Sequence, residues 1–442
     1  MNRRTFFARA TVTAAALAGR GTLSGKSPGS APASSPAADN GKLAGRTLEE
    51  LREEHRYWLF DDFLPFMDKF VIDHELGGFM TQVDRDGTRV NSTKTSWYEG
   101  RGIWTYSYLY NKLERNPKYL EVARQSKDFI LRHKPEGDNL WPYMFTKEGK
   151  PTGRKAQDVY GDLFIAHGLQ ELAKAEGNGL CWDMAKDILL KCMRLYDSPD
   201  YSLPSPLPNR PPLQAPRVNG HWMIFLNLAG QMLEMKSDPR VEDIAARCVD
   251  AVMNYHFNPD FGLLNEIINH DLSRNPEYAQ YSYTGHACET LWMVMQEALR
   301  KKDGGLFNLA AERFRRHVEV SHDDVYGGWF RSLDNVDENT WTVDKYSWLQ
   351  EEVLIGTMML VEQTGSPWAK EWYGKAWNYV LEKLALKQYG FPLWANNGDR
   401  QWTFVRHARD CEHFHHPRHL MQNIQALDRL IKRGRNAAGR LS

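Results

Sequence analysis

Leu76-Gly77-Gly78-Phe79 and Tyr326-Gly327-Gly328-Trp329 are two copies of one short phrase. Four looser copies are spaced along the same chain: Asn139-Leu140-Trp141-Pro142, Asp200-Tyr201-Ser202, Phe261-Gly262-Leu263 and Tyr389-Gly390-Phe391-Pro392. From Gly78 through Trp141, Tyr201, Gly262 and Gly328 to Gly390 the steps are 63, 60, 61, 66 and 62 residues. A steady period of this kind marks a repeat architecture, in which each unit buries its apolar face against the next. Several copies run on into a polar turn, at Asp84-Arg85-Asp86-Gly87, Thr146-Lys147-Glu148-Gly149, Asp334-Asn335 and Asn396-Asn397-Gly398-Asp399. Such turns signal short hairpins.

Between these loops the apolar residues recur at helical spacing, as in Ile103-Trp104, Tyr108 and Leu109, or Leu291-Trp292, Met295 and Leu299. Each repeat therefore holds two helices and a loop. Six helical hairpins close on themselves, so the expected fold is an all-α (α/α)6 barrel with short β-hairpin loops at one mouth; an open solenoid is the alternative. By length alone, 442 residues would allow two or three domains. The repeat instead makes one catalytic domain of residues 41–435.

Residues 1–40 read differently. Asn2-Arg3-Arg4-Thr5-Phe6-Phe7, followed by the Ala-rich stretch from Ala8 to Gly19, has the form of a twin-arginine export signal. The Ser, Pro, Ala and Gly run from Ser27 to Gly41 reads as a disordered tether. The expected location is periplasmic or secreted. The formal charge of the whole chain is zero, with 56 basic and 56 acidic residues. Setting residues 1–40 aside removes Arg3, Arg4, Arg9, Arg20 and Lys26 but only Asp39, so the remainder is mildly acidic. That balance excludes a nucleic-acid partner, which requires a basic face. No apolar run reaches the ~20 residues that span a bilayer. Five cysteines without a CxxC pair read as buried thiols. Fifteen Trp and nineteen Tyr suit a carbohydrate-lined cleft as well as a core.

Polar residues collect where the second helix of each repeat starts. Arg101, Gly161, His221, His286, Glu351 and His416 follow one another at steps of 60, 60, 65, 65 and 65. Equivalent positions in a ring face one another, so Arg101, His286, Glu352, His415 and Arg418 converge at one mouth. Helix N-termini there favour an anion or anionic intermediate. Pro417 fits a first helical position, with His415 just before the helix. His286 and Glu289 are three apart on one helix, so the carboxylate can orient the imidazole. Each of these has a plainer reading: a structural hydrogen bond for His286–Glu289, an arginine capping an aromatic cluster for Arg101, an exposed acidic pair for Glu351-Glu352. The run Glu412-His413-Phe414-His415-His416-Pro417-Arg418-His419 lacks metal-ligand spacing, and Arg418 repels a cation, so no metal is expected.

With these residues the chain resembles the N-acylglucosamine 2-epimerase family, which includes cellobiose 2-epimerases and aldose–ketose isomerases on an (α/α)6 barrel. The resemblance runs from about Leu51 to Leu430. It is carried by Gly77-Gly78-Phe79 through Gly87, Gly100-Arg101-Gly102-Ile103-Trp104, Trp222 to Leu228, Gly285-His286-Ala287-Cys288-Glu289, Trp348-Leu349-Gln350-Glu351-Glu352 and Phe414-His415-His416-Pro417-Arg418. It implies His286 and His415 as catalytic histidines supported by Arg101, Glu289, Glu352 and Arg418, with Tyr160, His221, Asn227, Trp348 and Trp394 as sugar contacts. The chain departs from the family pattern at Thr284, at Ser347-Trp348, at Asp410 and at Asn227, positions that bear on sugar choice.

The expected chemistry is removal of the C2 proton of an open-chain aldose by one imidazole and its return on the other face by a second. Imidazole titrates near neutral pH and suits both tasks. Arg101 and Arg418 would stabilise the enediolate between the two steps. Glu352 could help open the ring or hold a hydroxyl. The route needs no cofactor, and return of the proton at C1 gives a ketose. The partner is a small sugar; dimerisation is left open. Two rival readings fit the same residues. A glycoside hydrolase or lyase needs paired carboxylates, ~6.5–9.5 Å apart for inversion, here Glu352 with Asp162 or Glu289. A sugar-binding protein needs no chemistry.

Overall fold

The computed structural model describes residues 41–84, 86–177, 179–385, 387, 411 and 413–438, with side chains described as far as residue 434. Residues 1–40, on which the expected export signal falls, the Tyr389 copy of the repeat phrase, Trp394 and Asp410 lie outside the described residues.

The helices are α1 (Leu48–Arg56), α2 (Leu64–Phe70), α3 (Ser96–Lys112), α4 (Pro117–Leu131), α5 (Tyr160–Glu176), α6 (Leu180–Asp197), α7 (Asn219–Met235), α8 (Pro239–Asp250), α9 (Thr284–Lys301), α10 (Gly304–Ser321), α11 (Ser347–Thr364), α12 (Pro367–Lys383) and α13 (His415–Ala438). A π-helical stretch, Tyr57–Phe63, joins α1 to α2. Starts are set by local chemistry. Thr47 and Glu50 form a reciprocal capping box at α1. Asn116, Asp238 and Ser366 cap α4, α8 and α12, each with proline next in sequence.

Burial separates two kinds of helix. On α8 the buried residues are Val241, Ile244, Ala245 and Cys248, one stripe of an amphipathic outer helix. On α5 every residue from Gly161 to Ala173 is buried. A helix buried on every side belongs to the inner ring, and its Asp162, His167, Gln170 and Glu171 are buried with the rest. The inner helices α3, α5, α7, α9 and α11 pack each on the next, α13 packs on α11, and α13 also touches α3. The Thr105 hydroxyl on α3 donates to the His413 carbonyl just before α13, at 3.0 Å, where the ring closes. On the outside, α1 packs against α13, so the ends of the domain complete the last pair. The expected (α/α)6 barrel is present.

The repeated phrase is a structural clamp. Gly77 and Gly78 have φ of 79° and 93°, Gly327 and Gly328 75° and 74°, in the left-handed region that favours glycine. In the first copy, Lys94 Nζ donates to Asp73 Oδ2 (2.8 Å) and to the Gly77 carbonyl (2.6 Å), while Phe79 N donates to Glu99 Oε1 (2.9 Å). The fifth copy repeats this atom for atom with Lys345, Asp323, Gly327, Trp329 and Gln350. In the second copy Trp141 N donates to Asp162, which Lys191 neutralises at 2.6 Å. Phe79, Trp141 and Trp329 are fully buried, so these rings belong to the core and not to a sugar cleft.

Small antiparallel pairs decorate the N-terminal ends of the inner helices. Ile267–Ile268 pairs with Arg217–Val218, and Lys94–Thr95 with Met144–Phe145, tying neighbouring repeats together. The expected hairpin turns form at Asp84–Gly87 and Thr146–Gly149. All five cysteines are buried and free of disulfides.

Candidate active site

The inner helices begin earlier than the polar residues suggested. α3 starts at Ser96 and α11 at Ser347, which puts Arg101 and Glu352 in the second turn rather than at the mouth. Pro417 is the third residue of α13, and His415 opens that helix. The polar residues therefore form two layers. Tyr160, His221, His286, Trp348 and His415 occupy first turns; Arg101, Glu289, Glu352 and Arg418 lie deeper.

In the upper layer, the half-buried Trp348 ring has its centroid 5.9 Å from that of His286 and 5.7 Å from that of His415. The two histidines, 129 residues apart, thus meet around one indole. Gly285 makes this possible, since a Cβ there would lie 2.5 Å from the Trp348 ring.

His286 is not oriented by Glu289. Its Nδ1 is 2.8 Å from Oε1 of Glu266, and Oε1 also accepts from Gly220 N at 3.3 Å. Helical spacing shows which residues share a face but not where a ring nitrogen points; here it turns toward the neighbouring loop. A carboxylate only accepts, so Nδ1 carries the proton and Nε2 keeps its lone pair. The His286 side chain is 23% exposed against 5% for Glu266, so the imidazole is reachable while its partner is not. Glu266 was missed by sequence reasoning. Its signal was a single acid inside the apolar run Leu263-Leu264-Asn265-Glu266-Ile267-Ile268.

Glu289 faces the other way. Arg418 Nη2 donates to Glu289 Oε1 at 2.7 Å and also bonds Glu352, whose second oxygen accepts from Trp292 Nε1 at 2.6 Å. His415 Nε2 lies 4.0 Å from Glu289 Oε1. Burial works against the Glu289 charge, but Arg418 and His415 hold its carboxyl below the usual range. Burial and the Glu289 charge outweigh the attraction of Arg418 at Glu352 and push it up to about 8. One guanidinium between two carboxyls leaves one negative charge and one site that takes a proton near neutral pH. This triad sits directly below His415. Arg101 has its guanidinium 4.2 Å from the Phe164 ring centroid and 4.8 Å from that of Phe414, and Arg418 stacks on the same Phe414 at 4.5 Å. Phe414 thus links the two arginines.

His286 also borders a cavity of about 330 Å³ shared with Tyr160, His221, Glu266, Tyr283 and Arg331. His221 stacks on Tyr196 and its Nε2 meets the Tyr201 hydroxyl at 2.9 Å; burial, with His286 nearby, pushes it down to about 3. It is a neutral wall and not an acid or base. The Tyr160 ring lies 4.4 Å from it. Asn227 sits further along α7, its Oδ1 accepting from Gln231, which also meets Trp104, His167 and Gln170. That network is interior, away from the mouth.

Two groups have metal-ligand composition. In Glu289, Glu352 and His415 the cation is already Arg418. In Glu351, His416 and His419, Glu351 Oε1 accepts from His416 Nδ1 at 2.8 Å within a buried cluster. The carboxylate pairs offered for hydrolysis are also engaged: Asp162 by Lys191, and Glu289 with Glu352 by Arg418.

Comparison with known proteins identifies the family and the fold. N-acylglucosamine 2-epimerase of Bos taurus is 23% identical over 409 residues, covering 87% of this chain and 95% of its own. Cellobiose 2-epimerase of Dictyoglomus turgidum is 22% identical, covering 77% and 89%. The solved cellobiose 2-epimerase of Bacillus thermoamylovorans B4167 shares the fold with a TM-score of 0.72 at 17% identity, over 85% of this chain and 99% of that one. Residues 45–418, the barrel that carries both histidines and Arg418, match the family described as N-acylglucosamine 2-epimerase (GlcNAc 2-epimerase), and the chain belongs to that family.

Proposed function

We propose that this protein is a sugar 2-epimerase that interconverts C2 epimers of an aldose, or the closely related aldose–ketose isomerase. The observation that carries the reading is the meeting of His286 and His415 around Trp348, one imidazole anchored on a carboxylate and the other above the Arg418 triad.

One imidazole removes the C2 proton of the open-chain sugar, and the electron pair moves onto the carbonyl to give an enediolate. The second imidazole, protonated, returns a proton to C2 from the other face. For His286 the accepting atom is Nε2, and the imidazolium that results is stabilised by Glu266 through Nδ1–H. Arg418 and Arg101 lie beneath and favour the anionic intermediate. Return of the proton at C1 instead yields the ketose from the same site. The engaged carboxylates argue against hydrolysis. The Arg3-Arg4 leader read from the sequence supports a site of action outside the cytoplasm.

The test is incubation with a panel of mono- and disaccharides in heavy water, followed by proton NMR. Deuterium should enter at C2 of the epimer or at C1 of the ketose. His286→Ala and His415→Ala should each lower turnover by ~10²–10⁴-fold, the usual weight of one general acid–base contact. Release of a reducing sugar without exchange would refute the reading.

A further inference from the structure

The side chain of Glu266 is used on one oxygen only. Oε1 takes both N–H groups, from His286 Nδ1 and Gly220. Oε2 is buried and has no hydrogen-bond partner among the described residues. The backbone of the residue is held in place. Its carbonyl accepts from Asn219 N at 2.8 Å, its own N–H donates to Tyr281 O, and the next residue, Ile267, pairs with Val218. A buried carboxylate oxygen without a donor is costly and rare in a folded protein. Here it belongs to a residue that borders the same cavity as His286, Tyr160 and Tyr283.

We propose that Glu266 contacts the substrate: while Oε1 positions His286, Oε2 accepts a hydrogen bond from a hydroxyl of the bound sugar. The inference rests on the epimerase or isomerase reading and deepens it. Because a carboxylate offers acceptors only, the ligand group at this point is an O–H or N–H donor and never a carboxylate or carbonyl oxygen. The site therefore selects a neutral, hydroxylated sugar edge at this wall and disfavours an acidic one. Glu266 also couples recognition to chemistry. The oxygen that reads the hydroxyl and the oxygen that holds the imidazole belong to one group, so a sugar that satisfies Oε2 fixes the carboxylate that steadies the His286 imidazolium. A sugar lacking that hydroxyl leaves a buried polar atom unpaired. Sites of that kind discriminate strongly.

The experiment compares the intact protein with Glu266→Gln and Glu266→Leu, using the accepted sugar and its monodeoxy analogues. Glu266→Gln keeps an acceptor for His286 Nδ1 but removes the charge. The acid limb of its kcat/KM profile should move down by about one pH unit, since the imidazolium loses its counter-charge. The other groups near His286 are Tyr160 on α5, His221 on α7, Glu289 on α9, His415 on α13 across Trp348, Tyr283, Arg331, Asp158 and Asp334. They are the same in both proteins, so the shift isolates Glu266. A merely structural role would lower the unfolding midpoint and leave the limb in place.

For the contact itself, one monodeoxy sugar should lose at least tenfold in kcat/KM with the intact protein, and that penalty should vanish in Glu266→Leu. An unmoved acid limb, or deoxy penalties independent of residue 266, overturns the proposal. Intact protein that exchanges the C2 or C1 proton in heavy water while the Glu266 variants behave normally removes this inference alone. Absence of exchange in the intact protein removes the parent reading instead.

Discussion

Arg418 holds the lower layer together. Its guanidinium is fully buried, bonds Glu289 and Glu352 with one nitrogen, and lies over Phe414 and Trp292. Removing one partner of a buried charge pair leaves the other stranded, which typically costs ~3–5 kcal/mol. Arg418→Met should therefore lower the unfolding free energy by about that amount in urea titrations. Adding Glu289→Gln to the same chain should recover part of the stability, because Glu352 near neutral pH carries its own proton; activity should return in neither variant. Retention of full stability by Arg418→Met would mean that water already reaches the triad. At this scale the sequence showed which residues matter better than whom they touch. His286, His415 and Arg418 were legible from their placement in the repeat. The His286–Glu289 pair was not, because spacing along a helix ranks neighbours on that helix and says nothing of Glu266, which comes from a loop 20 residues earlier.

At the scale of the element, the repeated phrase proves to be a device for starting an inner helix, and its two best copies differ in one informative place. Where Glu99 accepts from Phe79 N and from Ser126 Oγ, Gln350 accepts from Trp329 N and donates to the carbonyls of Trp329 and Tyr346. Burial pushes the Glu99 carboxyl up to about 7. A carboxyl whose folded pKa is raised binds its proton more tightly when folded. Its stabilising contribution is complete below the ordinary value of 4.5 and is lost as pH rises through 7. Glu99→Gln should thus match the parent in thermal stability near pH 4.5 and exceed it at pH 8, by up to about 3 kcal/mol from the size of the shift. A difference that does not grow with pH would show that the Glu99 charge is compensated. The period of the repeat was readable because the glycines and the aromatic must stay for the clamp to form. The first turns of α3 and α11 were not, since Ser96 and Ser347 carry no apolar periodicity, and that offset concealed the two-layer site.

For the whole molecule, closing the ring forces polar side chains of the inner helices into a dry interior, and the histidines show the consequence. Burial holds His55, His167 and His221 down to about 3, His256 and His317 to about 4, and His419 well below its ordinary value. Burial outweighs the hydrogen bonds that would favour the charged form, as those of His55 to the Leu51 carbonyl and of His167 to Gln231 do. A histidine whose folded pKa is depressed stabilises the fold fully above its unfolded pKa of 6.5, and that contribution disappears as pH falls toward the folded value, because the unfolded chain takes up the proton first. Each such group costs on the order of 1.4 kcal/mol per pH unit within that window. Asp62, Glu99, Asp158, Asp162 and Glu352 act in the opposite sense, gaining their protons in the folded state as pH falls, and offset part of the effect of the six histidines but not all of it. The melting temperature should therefore drop steeply from pH 6.5 to 4.5, and unfolding there should be accompanied by uptake of several protons, measurable by comparing unfolding at two buffer ionisation enthalpies. A flat melting temperature across this range would mean that the histidines are hydrated and that the barrel interior is wet. Acid therefore undermines the barrel from within: below pH 6.5 the unfolded chain takes up protons that the buried histidines of the fold cannot accept, and the fold is most secure at neutral pH and above.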